Sequence, residues 1–248
     1  MIGGGFGNIV FNHFGTVAGG LSNAVSGELA AVLGGQANTA SGVFSTVGAG
    51  LGNTANSRSA TVSGGEANVA GGAASTVGGG EANNATGEGS TVAGGWVNTA
   101  SGAWSMVAGG QNNTAAGTNA AVVGGSFNMA TINGAFVGGG LQNLASGDDA
   151  TVSGGQYNLA SGSGAVVAGG SQNRADGGAS VVGGGLQNSA TALYATVPGE
   201  WARARPTRVP SFGVAQGLPL RPPRPTSILL PSARLAGYAP SRPTSIRR

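Results

Sequence analysis

A strict period of 15 residues constrains this chain more than any other feature. Valine occupies every fifteenth position from Val17 to Val197, with glycine three residues and asparagine six residues after each valine, up to Gly185 and Asn188. The consensus repeat is Ser/Ala-Thr-Val-x-Gly-Gly-x-x-Asn-x-Ala-Ser-Gly-x-x. Because repeats of fixed length stack equivalent residues on one another, the period predicts a solenoid rather than a conventional globular core.

The composition of the repeat favours β-structure over helix. The chain contains 51 glycines, and each glycine costs a helix about 1 kcal/mol relative to alanine. Each repeat instead contains two short β segments, Thr-Val and Asn-x-Ala, which end at Gly-Gly and Ser-Gly. Glycine and asparagine tolerate positive φ, so both are expected at corners. The sequence therefore predicts an all-β, parallel β-solenoid (a β-roll) of about thirteen 15-residue coils, spaced by ~4.8 Å.

Two columns of equivalent residues carry the structural prediction. Strand alternation directs the repeated valine inward and the residue before it outward. The predicted core consists of Val17, Val32, Val47, Val62, Val77, Val92, Val107, Val122, Val137, Val152, Val167, Val182 and Val197. The predicted corners, whose amides are expected to bond to neighbouring coils, are Asn23, Asn38, Asn53, Asn68, Asn83, Asn98, Asn113, Asn128, Asn143, Asn158, Asn173 and Asn188.

Larger side chains stand at the variable positions of the repeat. They are expected either at a subunit interface or on the outer surface, and the principal ones are Phe44, Trp96, Trp104, Phe127, Phe136 and Tyr157.

Residues suited to catalysis or metal binding are scarce. His13 is the only histidine, and the chain has neither cysteine nor lysine. A catalytic triad or a zinc site needs partners that His13 lacks. Asp148 and Asp149 are adjacent, so on a strand they point in opposite directions and do not converge on a substrate. We therefore expect no catalytic residue, no cofactor, no metal site and no enzyme activity.

Charge divides the chain into two parts. Residues 1–197 contain seven acidic residues and two arginines, whereas residues 198–248 contain nine arginines, one glutamate and all ten prolines. We interpret residues 1–197 as the repeat domain and residues 198–248 as a Pro/Arg-rich disordered tail. Because the repeat stops abruptly near residue 199, the tail is also open to interpretation as a frameshifted reading. Nucleic-acid binding is not expected, since no recognised binding fold accompanies the arginines.

The repeat resembles the head domain of trimeric autotransporter adhesins, of the type found in the Yersinia adhesins. That family repeats Asn-Ser-Val-Ala-Ile-Gly-x-x-Ser-x-Ala-x-Gly-x-x-Ser, with which residues 90–95 (Ser-Thr-Val-Ala-Gly-Gly) and then Asn98, Ala100 and Gly102 align. Glycine replaces the family's isoleucine here. The resemblance implies a left-handed roll, a homotrimer, and a place on the cell surface. It also implies an outer-membrane anchor outside this chain, which is then expected to be a fragment.

The resemblance leads to one functional expectation and one alternative. We expect a non-enzymatic head (passenger) segment of a bacterial surface adhesin, which contributes to adhesion and virulence by displaying many equivalent sites. Its partners would be two further copies of the chain and an extracellular-matrix, host or abiotic surface. The alternative is a rigid spacer in a phage tail fibre or a secreted fibre protein.

Overall fold

The computed structural model describes residues 1–201, which form a parallel β-solenoid of about thirteen coils. All secondary structure in this range consists of short strands and single-residue bridges. Each residue pairs with its equivalent 15 positions away, as in the pairing of Thr76 with Thr91. The predicted all-β solenoid and its coil length are confirmed.

Two parallel sheets of 13 strands each run along the solenoid. The valine sheet consists of Thr16–Val17, Ala31–Val32, Thr46–Val47, Thr61–Val62, Thr76–Val77, Thr91–Val92, Met106–Val107, Ala121–Val122, Phe136–Val137, Thr151–Val152, Val166–Val167, Val181–Val182 and Thr196–Val197. The alanine sheet consists of Ile9–Val10, Ala24–Val25, Thr39–Ala40, Thr54–Ala55, Val69–Ala70, Asn84–Ala85, Thr99–Ala100, Thr114–Ala115, Met129–Ala130, Leu144–Ala145, Leu159–Ala160, Arg174–Ala175 and Ser189–Ala190.

A third ladder joins the coils on the segment between these two sheets. It consists of parallel single-residue bridges from Phe6 to Leu186, and it ends as the strand pair Gly185–Leu186 and Glu200–Trp201. We call its residues, four positions after each valine, the bridge column. The sequence predicted only two β segments per coil, because side chains in this column range from tryptophan to glutamate and carry no strand pattern.

The core lies between the two sheets and is built from small side chains. The repeated valines from Val17 to Val182 are fully buried, and the last one, Val197, is only partly buried. Facing them are Val25 and the alanines from Ala40 to Ala190. A further buried column, two residues before each valine from Val32 to Val182, holds either alanine or serine, as in Ala60 and Ser90. Each 15-residue coil contributes one strand to both sheets, so the sheets lie close together and only small side chains fit between them.

The repeated asparagines form a continuous ladder along the interior. In Asn98 the backbone N–H donates to the Oδ1 atom of Asn83 at 3.0 Å, and Nδ2 donates to the carbonyls of Gly94 and Gly110 at 3.0 and 2.8 Å. Its own Oδ1 atom accepts the backbone N–H of Asn113 at 3.0 Å. Each asparagine from Asn23 to Asn173 is buried, and its backbone N–H and side chain together link three successive coils. Burial of an amide is favourable only when its groups are paired in this way.

Three residues in most coils adopt the left-handed conformation. They are the glycine three positions after each valine (the glycine column), the residue directly before each ladder asparagine (the outer column, Gly7 to Gln187), and the residue twelve positions after each valine (Leu29 to Tyr194). The ladder asparagines themselves have no positive φ. The expectation that asparagine supplies the left-handed residue at its corner is therefore wrong, because its side chain points inward to bond and its neighbour makes the turn.

Pairing continues beyond the predicted end of the repeat domain. Glu200 pairs with Gly185 and Trp201 pairs with Leu186, in the register of the preceding coils. The solenoid therefore extends at least four residues past Val197. The remainder of the predicted disordered tail, residues 202–248, lies outside the described residues.

Candidate functional surface

One face of the solenoid carries no charge. We define the valine face as the outward residues directly before and after each valine of the valine sheet, from Thr16 to Pro198. Its side chains are Thr, Ala, Ser, Val, Leu, Met, Phe, Pro or none. Met106, Val123 and Phe136 are exposed on it. An uncharged and partly apolar strip that runs along thirteen strands marks a surface suited to association.

The charged side chains of residues 1–199 all stand elsewhere on the coil. They occupy the bridge column, the alanine sheet and the turn after it, at Glu28, Arg58, Glu66, Glu81, Glu88, Asp148, Asp149, Arg174 and Asp176. Acidic residues dominate this set, so the faces other than the valine face carry the net negative charge of the repeat domain. The coil therefore has one face without charged side chains, and its other faces carry all of them.

A second distinctive surface runs along the bridge and outer columns. We define the aromatic–amide edge as these two columns from Trp96 to Gln187. Aromatic rings occur at Trp96, Phe127 and Tyr157, at intervals of two coils, with exposed fractions of 44%, 47% and 48%. The coils between the rings carry amides at Gln111, Asn112 and Gln142, and Gln172 follows one coil after Tyr157. Beside the later coils of this edge lies a shallow groove of about 720 Å³, lined by Gly140, Leu141, Gly155, Gln156, Gly170, Ser171, Gly185 and Leu186.

A small polar cluster lies on the alanine sheet. Asp176 accepts hydrogen bonds from Ser161 one coil earlier and from the guanidinium of Arg174, with which it forms an ion pair. Partial burial raises the pKa of Asp176, but these hydrogen bonds and the charge of Arg174 outweigh it and hold the pKa below its usual value. The cluster links neighbouring coils, and it offers no further ionisable group for acid–base chemistry.

The residues that the sequence singled out for possible chemistry remain apart. His13, Asp148 and Asp149 are exposed on the turn after the alanine sheet, and His13 lies nine repeats before the aspartates. Within residues 1–201, no three side chains of the metal-binding types come together. The same residues include no helix with the length and apolar character needed to cross a membrane.

The large side chains that the sequence left unassigned are all exposed, but they belong to different surfaces. Phe136 lies on the valine face, Phe44 and Trp104 lie at the left-handed position after the alanine sheet, and the other three lie on the aromatic–amide edge. The sequence did not predict this edge. Its signal is a ring in every second repeat, at Trp96, Phe127 and Tyr157, which becomes visible only when the two columns are read together.

The sequence matches no protein-family model, and no curated protein is significantly similar to it.

Proposed function

We propose that this chain is a non-enzymatic head segment of a bacterial trimeric surface adhesin, which acts by multivalent display. The observation that carries the proposal is the repetition itself. About thirteen stacked coils present the same outward positions at intervals of one coil. Weak contacts to a repetitive surface then add up, because each contact after the first is effectively intramolecular.

The valine face supports self-association as the second element of the proposal. Its lack of charged side chains means that a partner face can cover it without desolvating an ion. Its exposed Met106 and Phe136 are of the residue types enriched in protein interfaces. We assign this face to the contact between subunits, which leaves the charged and amide-bearing faces on the outside of the trimer.

The first test measures the mass of the full chain in solution by light scattering and sedimentation. A trimer is expected. The double substitution Thr61→Lys/Thr76→Lys places two charges on the valine face and should dissociate it. The matched control, Thr39→Lys/Thr54→Lys, places the same charges on the alanine sheet and should leave the mass unchanged. A monomeric wild-type chain, or equal sensitivity of both variants, would contradict the assignment.

The second test measures adhesion of the wild-type chain and of the dissociated variant to collagen-coated, cell-coated and bare polymer surfaces. Loss of two of three subunits should weaken binding by roughly 10²-fold, because avidity is lost. A trimer that adheres to none of these surfaces would instead favour the rigid-spacer function in a fibre.

A further inference from the structure

We propose that the aromatic–amide edge binds a neutral, linear, β-1,4-linked polysaccharide that lies parallel to the solenoid axis. This inference deepens the proposed adhesin function by naming a ligand class, and it rests on that function only for its biological purpose. The binding site itself is defined by residues of one chain.

The spacing of the rings is the first step. Trp96, Phe127 and Tyr157 stand in every second coil, so successive rings are ~10 Å apart along the axis. An extended β-1,4-linked chain repeats every two sugars over a similar length, because alternate sugars face opposite ways. Phe127 and Tyr157, which share the outer column, can therefore stack on the C–H faces of two sugars one repeat of the polymer apart, and Trp96 extends the stacking surface from the adjacent bridge column.

The amides between the rings are the second step. Asn112 and Gln142 occupy the outer column in the coils between rings, and Gln172 follows Tyr157. A carboxamide offers two donor hydrogens and an acceptor oxygen, which match the mixed donor and acceptor character of sugar hydroxyls. The last two amides of the outer column, Gln172 and Gln187, are already aligned with each other. Gln187 Nε2 donates a hydrogen bond to Gln172 Oε1 at 2.9 Å.

The absence of charge selects the class of glycan. The bridge and outer columns contain no carboxylate and no basic side chain between Trp96 and Gln187, whereas Glu66 and Glu81 precede that stretch in the bridge column. A sulfated or uronic-acid polymer would need cations that the edge lacks. A neutral polymer of the cellulose or chitin type needs only stacking surfaces and hydrogen bonds.

The backbone fixes where the two outer-column rings stand. Phe127 and Tyr157 adopt φ values of 58° and 56°, a conformation that bulky residues rarely occupy. Glycine fills the same column at Gly52, where φ is 67°. Every residue of the outer column has a positive φ, so the coil geometry, and not the ring, sets this conformation. The positions of the two residues are well defined, because the N–H groups of Phe127 and Tyr157 donate to the carbonyls of Gln111 and Leu141 at 3.0 and 2.9 Å.

The test is sedimentation of the full chain with crystalline cellulose, with chitin, and with starch granules as an α-linked control. We expect binding to cellulose, to chitin or to both, and none to starch, with the two β-linked arms identifying the sugar. Phe127→Gly/Tyr157→Gly should lower the association constant at least tenfold. Phe44→Gly is the matched control, because Phe44 is 48% exposed with a φ of 61° but lies outside the edge.

Three outcomes would overturn the proposal: no binding to either β-linked polymer, retention of binding by the double glycine variant, or an equal loss in Phe44→Gly. The glycine variant should remain folded, since Gly52 already fills the equivalent position. Gln142→Leu keeps all three rings and should weaken binding about threefold, which tests the edge independently. A trimer that adheres to protein-coated surfaces but binds no polysaccharide would reject the polysaccharide site and leave the adhesin function standing. A monomer that binds chitin would reject the trimeric adhesin and leave the polysaccharide site standing.

Discussion

The glycine column and the outer column share a left-handed backbone but differ in what surrounds them. At Gly95 a Cβ atom would lie 2.3 Å from the carbonyl oxygen of Gly110 and 2.6 Å from Nδ2 of Asn98. At Gly52, in the outer column, a Cβ atom would meet nothing within 4 Å. The first column is glycine in every complete coil, whereas the second carries Val97, Phe127 and Tyr157. Packing of one coil on the next therefore determines where glycine is obligatory, and φ alone does not.

Substitution in the glycine column should produce the largest effect. We expect Gly95→Ala to lower the free energy of unfolding by about 4 kcal/mol, since it adds a backbone clash to the left-handed strain. Gly52→Ala should cost only about 1 kcal/mol, from strain alone. Denaturant titration followed by circular dichroism measures both values. Equal costs at the two sites would remove the distinction between the columns.

The asparagine that packs against the glycine column should be almost as sensitive. Asn98→Ala leaves the buried backbone N–H of Asn113 without its acceptor and removes the bonds to Gly94 and Gly110. We expect a loss of about 3 kcal/mol. Asn112→Ala, in the outer column one coil later, is the control and should cost less than about 1 kcal/mol. A tolerated Asn98→Ala, measured in the same titration, would show that the ladder contributes little.

Glycine should be favourable where the outer column now holds alanine. Ala67 has a φ of 54° and is exposed, so Ala67→Gly should raise the free energy of unfolding by about 1 kcal/mol. Ala70→Gly, three residues later in a buried strand, should lower it by about 1 kcal/mol. Opposite signs for the same chemical change would establish the backbone conformation as the cause, and the same sign at both sites would refute it.

Buried serine hydroxyls, two residues before the repeated valines, test how much hydrogen bonding inside the solenoid contributes to stability. The Oγ atom of Ser90 is buried and has no hydrogen-bond partner, while alanine fills the equivalent place at Ala60. Ser90→Ala should therefore stabilise the protein by up to about 1 kcal/mol. Ser75→Ala should give no gain, because Ser75 Oγ accepts the N–H of Gly72 at 3.1 Å. Calorimetric comparison of the two variants checks the difference, and a stabilised Ser75→Ala would contradict this explanation.

The smallest effect on the free energy of unfolding is expected from the titration of Asp176, in the polar cluster of the alanine sheet. The pKa of Asp176 is lowered in the folded chain from its usual 3.8. Its stabilising contribution is therefore present above that value and is lost as the pH falls through the lower, folded pKa. Asp176→Asn should reduce stability slightly at pH 7 and should flatten its decline in acid. Unfolding midpoints at pH 7 and pH 3 measure this, and an unchanged acid slope would mean that the ion pair contributes nothing.

The 15-residue period predicted those features of the fold that recur at one fixed position of every coil. Val92 is buried and Thr91 faces outward because strand alternation acts within the repeat itself. The scarcity of partners for His13 was likewise visible from composition. The aromatic–amide edge was not predicted, because Trp96 and Phe127 occupy different positions of the repeat and neither position keeps one residue type from coil to coil.

The sequence by itself determined the coil length, the parallel in-register pairing and the inward valine, because these follow from a fixed period and alternation along a strand. The tertiary structure decided the third ladder, the inward asparagine and the choice of left-handed residue at each corner. These depend on the carbonyl that the next coil presents, as at Gly95 and Gly110. A carbonyl 15 residues away in the chain becomes a neighbour only after the coils have stacked, which is why the repeat alone could not specify it.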